Sequence, residues 1–413
     1  MRKPRFAAAP GAFRYPPFRY PPFRRVWVTG VLIALAAWTE RLAAGWLILT
    51  ETDSVFLTAA SFAVRQAPGL IAAPIAGAIS DRVPRNRLLG IAAACRAVLL
   101  ALLAIFALSG LEPLWVAFVL IALAGVAHSF ETPSTQALVT DSVPRRAAMN
   151  AVALQSVGAR GMGALGGLIG GVVIASYGIP AALFAGAVVS LAGGLVVGTM
   201  RPVAPRGART ERRDTSVLRD VADGLRVMFS VPLVRTLLAL AVLVEMFGFA
   251  YHSVLPAVAR NVLEVGEVGL GVLSMMAGFG SLAGVIALTA IGNVRRKGLL
   301  LLGITLGYGA FLVSFASSGV FPLSLVLITG VGAMAAAFDA MQWVLLQQYV
   351  PDHMRGRAIG GWVFAIGFGW VGYLALGAVA ESVGVQWALA ATGALVVVTG
   401  LTAAAVAPKL RSA

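Results

Sequence analysis

Long apolar runs separated by short charged or glycine-rich breaks set the pattern of this chain from Trp27 to its end. A helix needs about 20 mostly apolar residues to cross roughly 30 Å of hydrocarbon. By that measure the sequence predicts twelve membrane-spanning helices, near 27–50, 57–80, 88–109, 113–139, 150–175, 180–200, 234–257, 268–292, 298–317, 322–348, 357–380 and 386–407. The expected fold is an all-α membrane protein built as two six-helix bundles. A basic, proline-rich arm over residues 1–26 carries a tandem Phe-Arg-Tyr-Pro-Pro repeat and is expected to stay extended and disordered. The first bundle covers 27–200 and the second 234–408, followed by a short tail over 409–413. Between the bundles, residues 201–233 form a linker. Within it Val217, Leu218, Val221, Leu225, Met228 and Phe229 share one helical face, and Arg219, Asp220, Asp223 and Arg226 take the other. That pattern predicts an amphipathic helix at the membrane surface.

Composition agrees with this reading. Hydrophobic residues make up 59% of the 413 and charged residues only 12%, where a soluble domain carries about 25% charge. A soluble enzyme on a single anchor is excluded. The net charge of +15 would point to nucleic acid in a soluble protein, but its placement says otherwise. Seven basic residues fall within 1–25 and eight within 201–235. Arg82, Arg85, Arg87, Arg145, Arg146, Arg295, Arg296, Lys297, Arg355, Arg357, Lys409 and Arg411 fall in loops on the same side or at the C-terminus. The opposite loops offer only Arg260, beside Glu51, Asp53, Glu112, Glu264, Glu267 and Glu381. By the positive-inside rule both termini are expected in the cytoplasm, with the chain in the plasma (inner) membrane. The bilayer, not nucleic acid, is the partner.

The two halves echo each other. Arg85-Asn-Arg87 and Arg295-Arg-Lys297 open the third helix of each half, Val143-Pro144 and Val350-Pro351 precede the fifth, and Ser176-Tyr-Gly178 and Ser382-Val-Gly384 end it. Shared order and near-constant spacing indicate a duplication.

Residues 77–89, Gly-Ala-Ile-Ser-Asp-Arg-Val-Pro-Arg-Asn-Arg-Leu-Leu, resemble the loop between helices 2 and 3 of the major facilitator superfamily, a family of secondary transporters. Residues 130–156, opening Phe-Glu-Thr-Pro-Ser-Thr-Gln-Ala-Leu, resemble its macrolide- and enterobactin-exporter-like subgroup of drug:proton antiporters. The resemblance implies that Gly77, Asp81, Arg82 and Arg85 form a conformational latch. In it, Asp81 would meet the start of helix 11 and hold the outward-open state. There are departures. Pro84 and Asn86 interrupt the loop pattern, Thr135 replaces an arginine, and Ile291 stands where the second half would carry an aspartate. Helix 5 reads Met162-Gly163-Ala-Leu-Gly166-Gly167 without the proline of the exporter pattern.

Candidate chemistry lies in the spans. An ionisable group in lipid costs about 2.5–3.5 kcal/mol on insertion scales, so those retained mark a wet, functional interior. Counting along the helices at 1.5 Å per residue puts Glu40, Arg96, Glu131, Arg160, Glu245 and Asp339 about 13–22 Å from the basic surface. Six helices thus carry charge near the midplane. Arg41 follows Glu40 and is turned about 100° from it, so either both edge the cavity or one pairs with another helix. His128 and Glu131 share a face. Pro133 is expected to weaken the helix below them, and a carboxylate here can exchange protons that His128 relays. Arg96 and Arg160 are the counter-charges for these acids or for an anionic substrate. In the second half, Asp339 and Gln342 share a face, while His252 is expected near the outer surface. Trp38, Trp46, Trp343, Trp362 and Trp370 can line an apolar cavity. Gly163, Gly166, Gly167 and Gly170 thin span 5 for close helix packing.

Other chemistry is not signalled. The lone Cys95 reads as a small core residue, and three histidines offer no metal constellation. With no phosphate-binding loop or nucleophile motif, no cofactor, metal site or enzyme activity is expected. The resulting expectation is a monomeric, proton-coupled exporter of amphipathic small molecules working by alternating access. A nutrient importer or facilitator, and a non-transporting scaffold or sensor, remain open alternatives.

Overall fold

The computed structural model describes residues 16–80, 83–110, 112–201, 232–292, 294–350, 362, 364 and 366–412. The arm up to residue 15, the linker helix over 217–229, and Asp81, Arg82, Arg355 and Arg357 lie outside the described residues. Among those described there is no strand. The first half comprises α1 (Pro21–Thr52), α2 (Val55–Gln66), α3 (Gly69–Ser80), α4 (Arg85–Leu108), α5 (Trp115–Asp141), α6 (Ala148–Tyr177) and α7 (Ile179–Gly198). The second comprises α8 (Pro232–Phe247), α9 (Tyr251–Ala257), a π-helical turn (Val258–Val262), α10 (Gly266–Ile291), α11 (Lys297–Ala316), α12 (Phe321–Tyr349), α13 (Gly369–Val383), α14 (Val385–Val406) and α15 (Pro408–Ser412). Eleven described helical stretches are long and apolar enough to span a membrane. The eleventh expected span, 357–380, is continuous helix from Gly369 onward, as α13. This is a multi-pass membrane protein.

Two expected spans are broken. The second parts into α2 and α3 at Ala67–Pro68, because Pro68 has no N–H to continue the ladder. The seventh parts into α8 and α9 at Gly248–Ala250, where the Gly248 and Phe249 N–H groups both turn back to the Val244 carbonyl. Pro133, by contrast, leaves α5 continuous, so no break opens beneath His128 and Glu131. The first span starts earlier than expected. α1 begins at Pro21, and Phe23 and Val26 are wholly buried against Leu89, Leu138 and Val197. At the other end Leu410 is buried, and a Cβ at Gly298 would strike its carbonyl.

The duplication is visible in the turns. Gly178 (φ 82°, ψ 169°) joins α6 to α7, and Gly384 (φ 93°, ψ 151°) joins α13 to α14. This region of backbone space is essentially closed to residues with a Cβ. Within the halves α4 packs on α7 and, equivalently, α11 on α14.

Between the halves two seams run, α6 against α10 and α2 against α13. The glycines of α6 serve both neighbours. Gly163, Gly166 and Gly170 face Trp38, Leu35 and Thr39 of α1, whereas Gly167 and Gly171 face Ser274, Gly271 and Glu267 of α10. With lipid outside, backbone approach and van der Waals packing replace hydrophobic burial as the source of association. Cys95 departs from the expectation of a core position. It is exposed on α4, in register with the exposed Ile91, Val98, Leu102 and Ile105.

Candidate functional site

The midplane charges divide into two groups. One is buried inside the first half, with Glu131 and His128 at its cavity edge. Arg96 on α4 is 0% exposed and sits at its centre. Its guanidinium lies 3.2 Å from Glu131 and 3.8 Å from Glu40. It also donates to Ser190 Oγ on α7 at 3.3 Å and to the Ile33 carbonyl on α1 at 3.2 Å. Arg65, at the end of α2, closes the set with a 3.0 Å bond to Glu40. Two carboxylates therefore meet two guanidiniums, and five helices are tied together by ion pairs and charge-assisted bonds, which are stronger than neutral ones. His128 approaches Glu131 at 3.0 Å through Nδ1, and its side chain is 33% exposed. It connects the buried set to the space outside.

That space is a cavity of about 600 Å³ between the halves. Its walls run from Ile33, Ala37 and Arg41 on α1, through His128, Glu131, Thr132 and Gln136 on α5 and Gln155 to Arg160 on α6, to Glu245, Tyr251, Ser281, Asp339 and Tyr373 opposite. The α1, α5 and α6 positions lead toward the ends that bear the basic loops, so the cavity opens to the basic face. Arg41 points across it. Its guanidinium lies 5.4 Å from the Trp38 ring and 5.3 Å from Phe62, within cation–π range, and 3.4 Å from the Tyr373 hydroxyl. Arg160 faces the cavity from α6, and Glu245 and Asp339 face it from α8 and α12. None of these last three has an ion-pair partner within 4.0 Å among the described residues. A Cβ at Gly369 would lie 2.8 Å from Gln66 Nε2 and 3.0 Å from Glu245 Oε1, so glycine there lets helices of both halves meet at the Glu245 carboxylate. The breaks at Pro68 and Gly248 fall beside these two side chains, the arrangement expected where interrupted helices line a site.

The opposite face is closed. Glu381, near the end of α13, accepts hydrogen bonds from the Val55 N–H at 2.8 Å and the Phe56 N–H at 3.1 Å, capping the start of α2. Arg260 on the π-helical turn donates to the Leu49 carbonyl near the end of α1 at 2.9 Å and lies 3.1 Å from Asp53. Both clasps join one half to the other.

Measured against the sequence, the structure gathers Glu40, Arg96, His128 and Glu131 into one network and puts Arg41, Arg160, Glu245 and Asp339 around the cavity. The Glu40–Arg41 ambiguity resolves by one residue turning into its own half and the next into the cavity. Arg96 is sealed from any solute. Gln342 is a correction: it is buried and donates to the Leu237 carbonyl at 3.1 Å, bracing α12 on α8 instead of facing the cavity. His252 is another, since it lines the cavity and stacks on Tyr251 at 4.1 Å. Of the five tryptophans only Trp38 lines the main cavity. Arg85 pairs with Asp141 of its own half, and Gly77 lies in α3. The expected contact of Asp81 with helix 11 involves residues outside those described. Arg65 also belongs to the network, and as a lone arginine in a span it carries the same sequence signal as Arg96. Gln66, Tyr251 and Tyr373 carried no such signal.

Comparisons with known proteins agree with this architecture. Residues 12–412 match the profile of a family described as transmembrane secretion effectors. The Staphyloferrin A transporter of Staphylococcus aureus (strain NCTC 8325 / PS 47) is 24% identical over 336 residues, covering 79% of this chain and 82% of that one. The Multidrug efflux pump Tap of Mycolicibacterium fortuitum is 27% identical over 383 residues, covering 89% and 90%. Among solved structures, an inward-facing, unoccupied bacterial homologue of the human lysosomal transporter Spinster superposes with a TM-score of 0.74 at 14% identity, over 95% of this chain and 98% of the other. The chain belongs to the transmembrane secretion effector family of the major facilitator superfamily, whose members are transporters and not enzymes.

Proposed function

We propose that the protein is a proton-driven exporter of amphipathic small molecules, with its basic face and both termini in the cytoplasm. The observation that carries this reading is the charged midplane cavity, open to the basic face and clasped shut on the other. In that orientation the cavity accepts solute from the cytoplasm, and alternation of the two seams delivers it outward. The names of the relatives, an efflux pump and a siderophore transporter, support export. Protons have a route from the cavity through His128 to Glu131. A proton on Glu131 weakens its hold on Arg96, and Arg96 ties α4 to α1, α5 and α7. The coupling chemistry thus acts on the packing of the first half, and solute contact falls to Arg41, Arg160, Glu245 and Asp339.

The test is transport in proteoliposomes with an imposed pH gradient. Glu131→Gln is expected to abolish gradient-driven movement while preserving downhill exchange, and Glu40→Gln to weaken it. Wild-type transport indifferent to the gradient overturns the coupling. An importer reading is kept in view by α6, which lacks the exporter proline at Met162–Gly167. Solute accumulation in everted vesicles, expected for an exporter and not for an importer, separates the two.

A further inference from the structure

The midplane layer is charge-balanced, but not uniformly. Glu40, Glu131, Arg65 and Arg96 form ion pairs with one another inside the first half. Glu131 edges the cavity while held by Arg96, and the charged groups that line it outside that network are Arg41 and Arg160 on the first-half wall, and Glu245 and Asp339 on the second-half wall. Among the described residues no carboxylate pairs with either arginine within 4.0 Å, and no cation pairs with either acid. The cavity therefore presents an arginine wall facing a carboxyl wall across about 600 Å³, a volume suited to a drug-sized molecule. Trp38, Phe249, Tyr251 and Tyr373 supply aromatic surface between the walls. In a low-dielectric site, a separated charge pair is matched best by a ligand that carries both signs. An anion alone leaves the acids unmatched, and a cation alone leaves the arginines unmatched.

Building on the export reading, we propose that the cavity selects zwitterionic amphipaths, seating the acidic group against Arg41 and Arg160 and the ammonium against Glu245 and Asp339. The walls then act as two independent filters, each reading one charge of the solute.

Binding to the full-length protein in nanodiscs tests this with three dansyl probes of like size: ε-dansyl-lysine (zwitterion), dansylcadaverine (cation) and N-dansyl-6-aminohexanoic acid (anion). The zwitterion is expected to bind at least tenfold more tightly than either of the others. Asp339→Asn combined with Glu245→Gln should weaken the zwitterion and the cation by tenfold or more while sparing the anion. Arg160→Gln should weaken the zwitterion and the anion while sparing the cation. The spared probe in each case shows that the variant is folded. Equal affinity for all three probes, or variants that lower all three alike, overturns the proposal. If the charge selectivity holds but everted vesicles fail to accumulate ε-dansyl-lysine, the export reading falls and the two-wall filter stands.

Discussion

Removing the charge of Glu381 should open the face that is closed in this structure. Its carboxylate accepts two main-chain N–H bonds at the first turn of α2, where unpaired N–H groups and the helix dipole favour an anion. Because α13 and α2 belong to different halves, the bond exists only while that face is shut. Glu381→Gln keeps the shape and one acceptor oxygen but loses the charge. Glu381 is exposed, so the loss is that of a surface helix-terminus interaction, about 1 kcal/mol. At 1.4 kcal/mol per decade, that corresponds to roughly a fivefold rise in the population open to the Glu381 side. A Ser274→Cys reporter in a Cys95→Ser background reads this directly. Ser274 lies on the α6–α10 seam against Gly167 and lines a small recess with His252 and Pro256. Its labelling rate by a membrane-impermeant maleimide from the Glu381 side should rise about fivefold in the Glu381→Gln background. The difference should shrink in 1 M salt, where screening reaches about 3 Å. A rate unchanged within twofold, or slower, would refute the clasp.

Two further outcomes follow from the packing and the buried network. Arg96→Met leaves Glu40 and Glu131 buried with their shared counter-ion gone. Breaking one partner of a buried set costs about 3–5 kcal/mol, so thermal unfolding in detergent should drop sharply, and adding Glu131→Gln should recover much of the loss; a single variant as stable as wild type contradicts the hub. A Cβ at Gly171 would lie 2.5 Å from the Glu267 carbonyl, whereas one at Gly161 would meet nothing within 4 Å. Gly171→Val should therefore insert normally but lose transport, with overpacking of about 1–3 kcal/mol at the seam, while Gly161→Ala should transport as wild type.

Hydropathy was enough to place the spans because membrane crossing is decided locally, by the length and polarity of one helix at a time. The same local logic located the charged layer, since distance along a helix from a surface charge is depth. It also found Gly178 and Gly384, whose backbone angles admit little else. Where a backbone group must be satisfied by a neighbour, the pattern was less informative. The break between α2 and α3 was marked by Pro68, yet the second span read as one helix, and the break at Gly248 carried no proline at all. Pro133 gave the opposite error, because α5 stays helical around it.

Which side chains face the cavity lay beyond the reach of the linear pattern. Glu40 and Arg41 are neighbours with similar depth, and only the position of Arg65 and Arg96 shows that the acid turns inward. Tyr373 meets Arg41 from 332 residues away, and Gln342 shares a face with Asp339 yet spends its amide on α8. The sequence by itself determined which segments are long and apolar enough to cross a membrane and which of them carry charge, because those follow from transferring each residue out of water. Only the tertiary structure decided how the eight midplane charges divide into a buried network and two opposing walls, because that depends on helix rotation and crossing, which are set by contacts between distant segments.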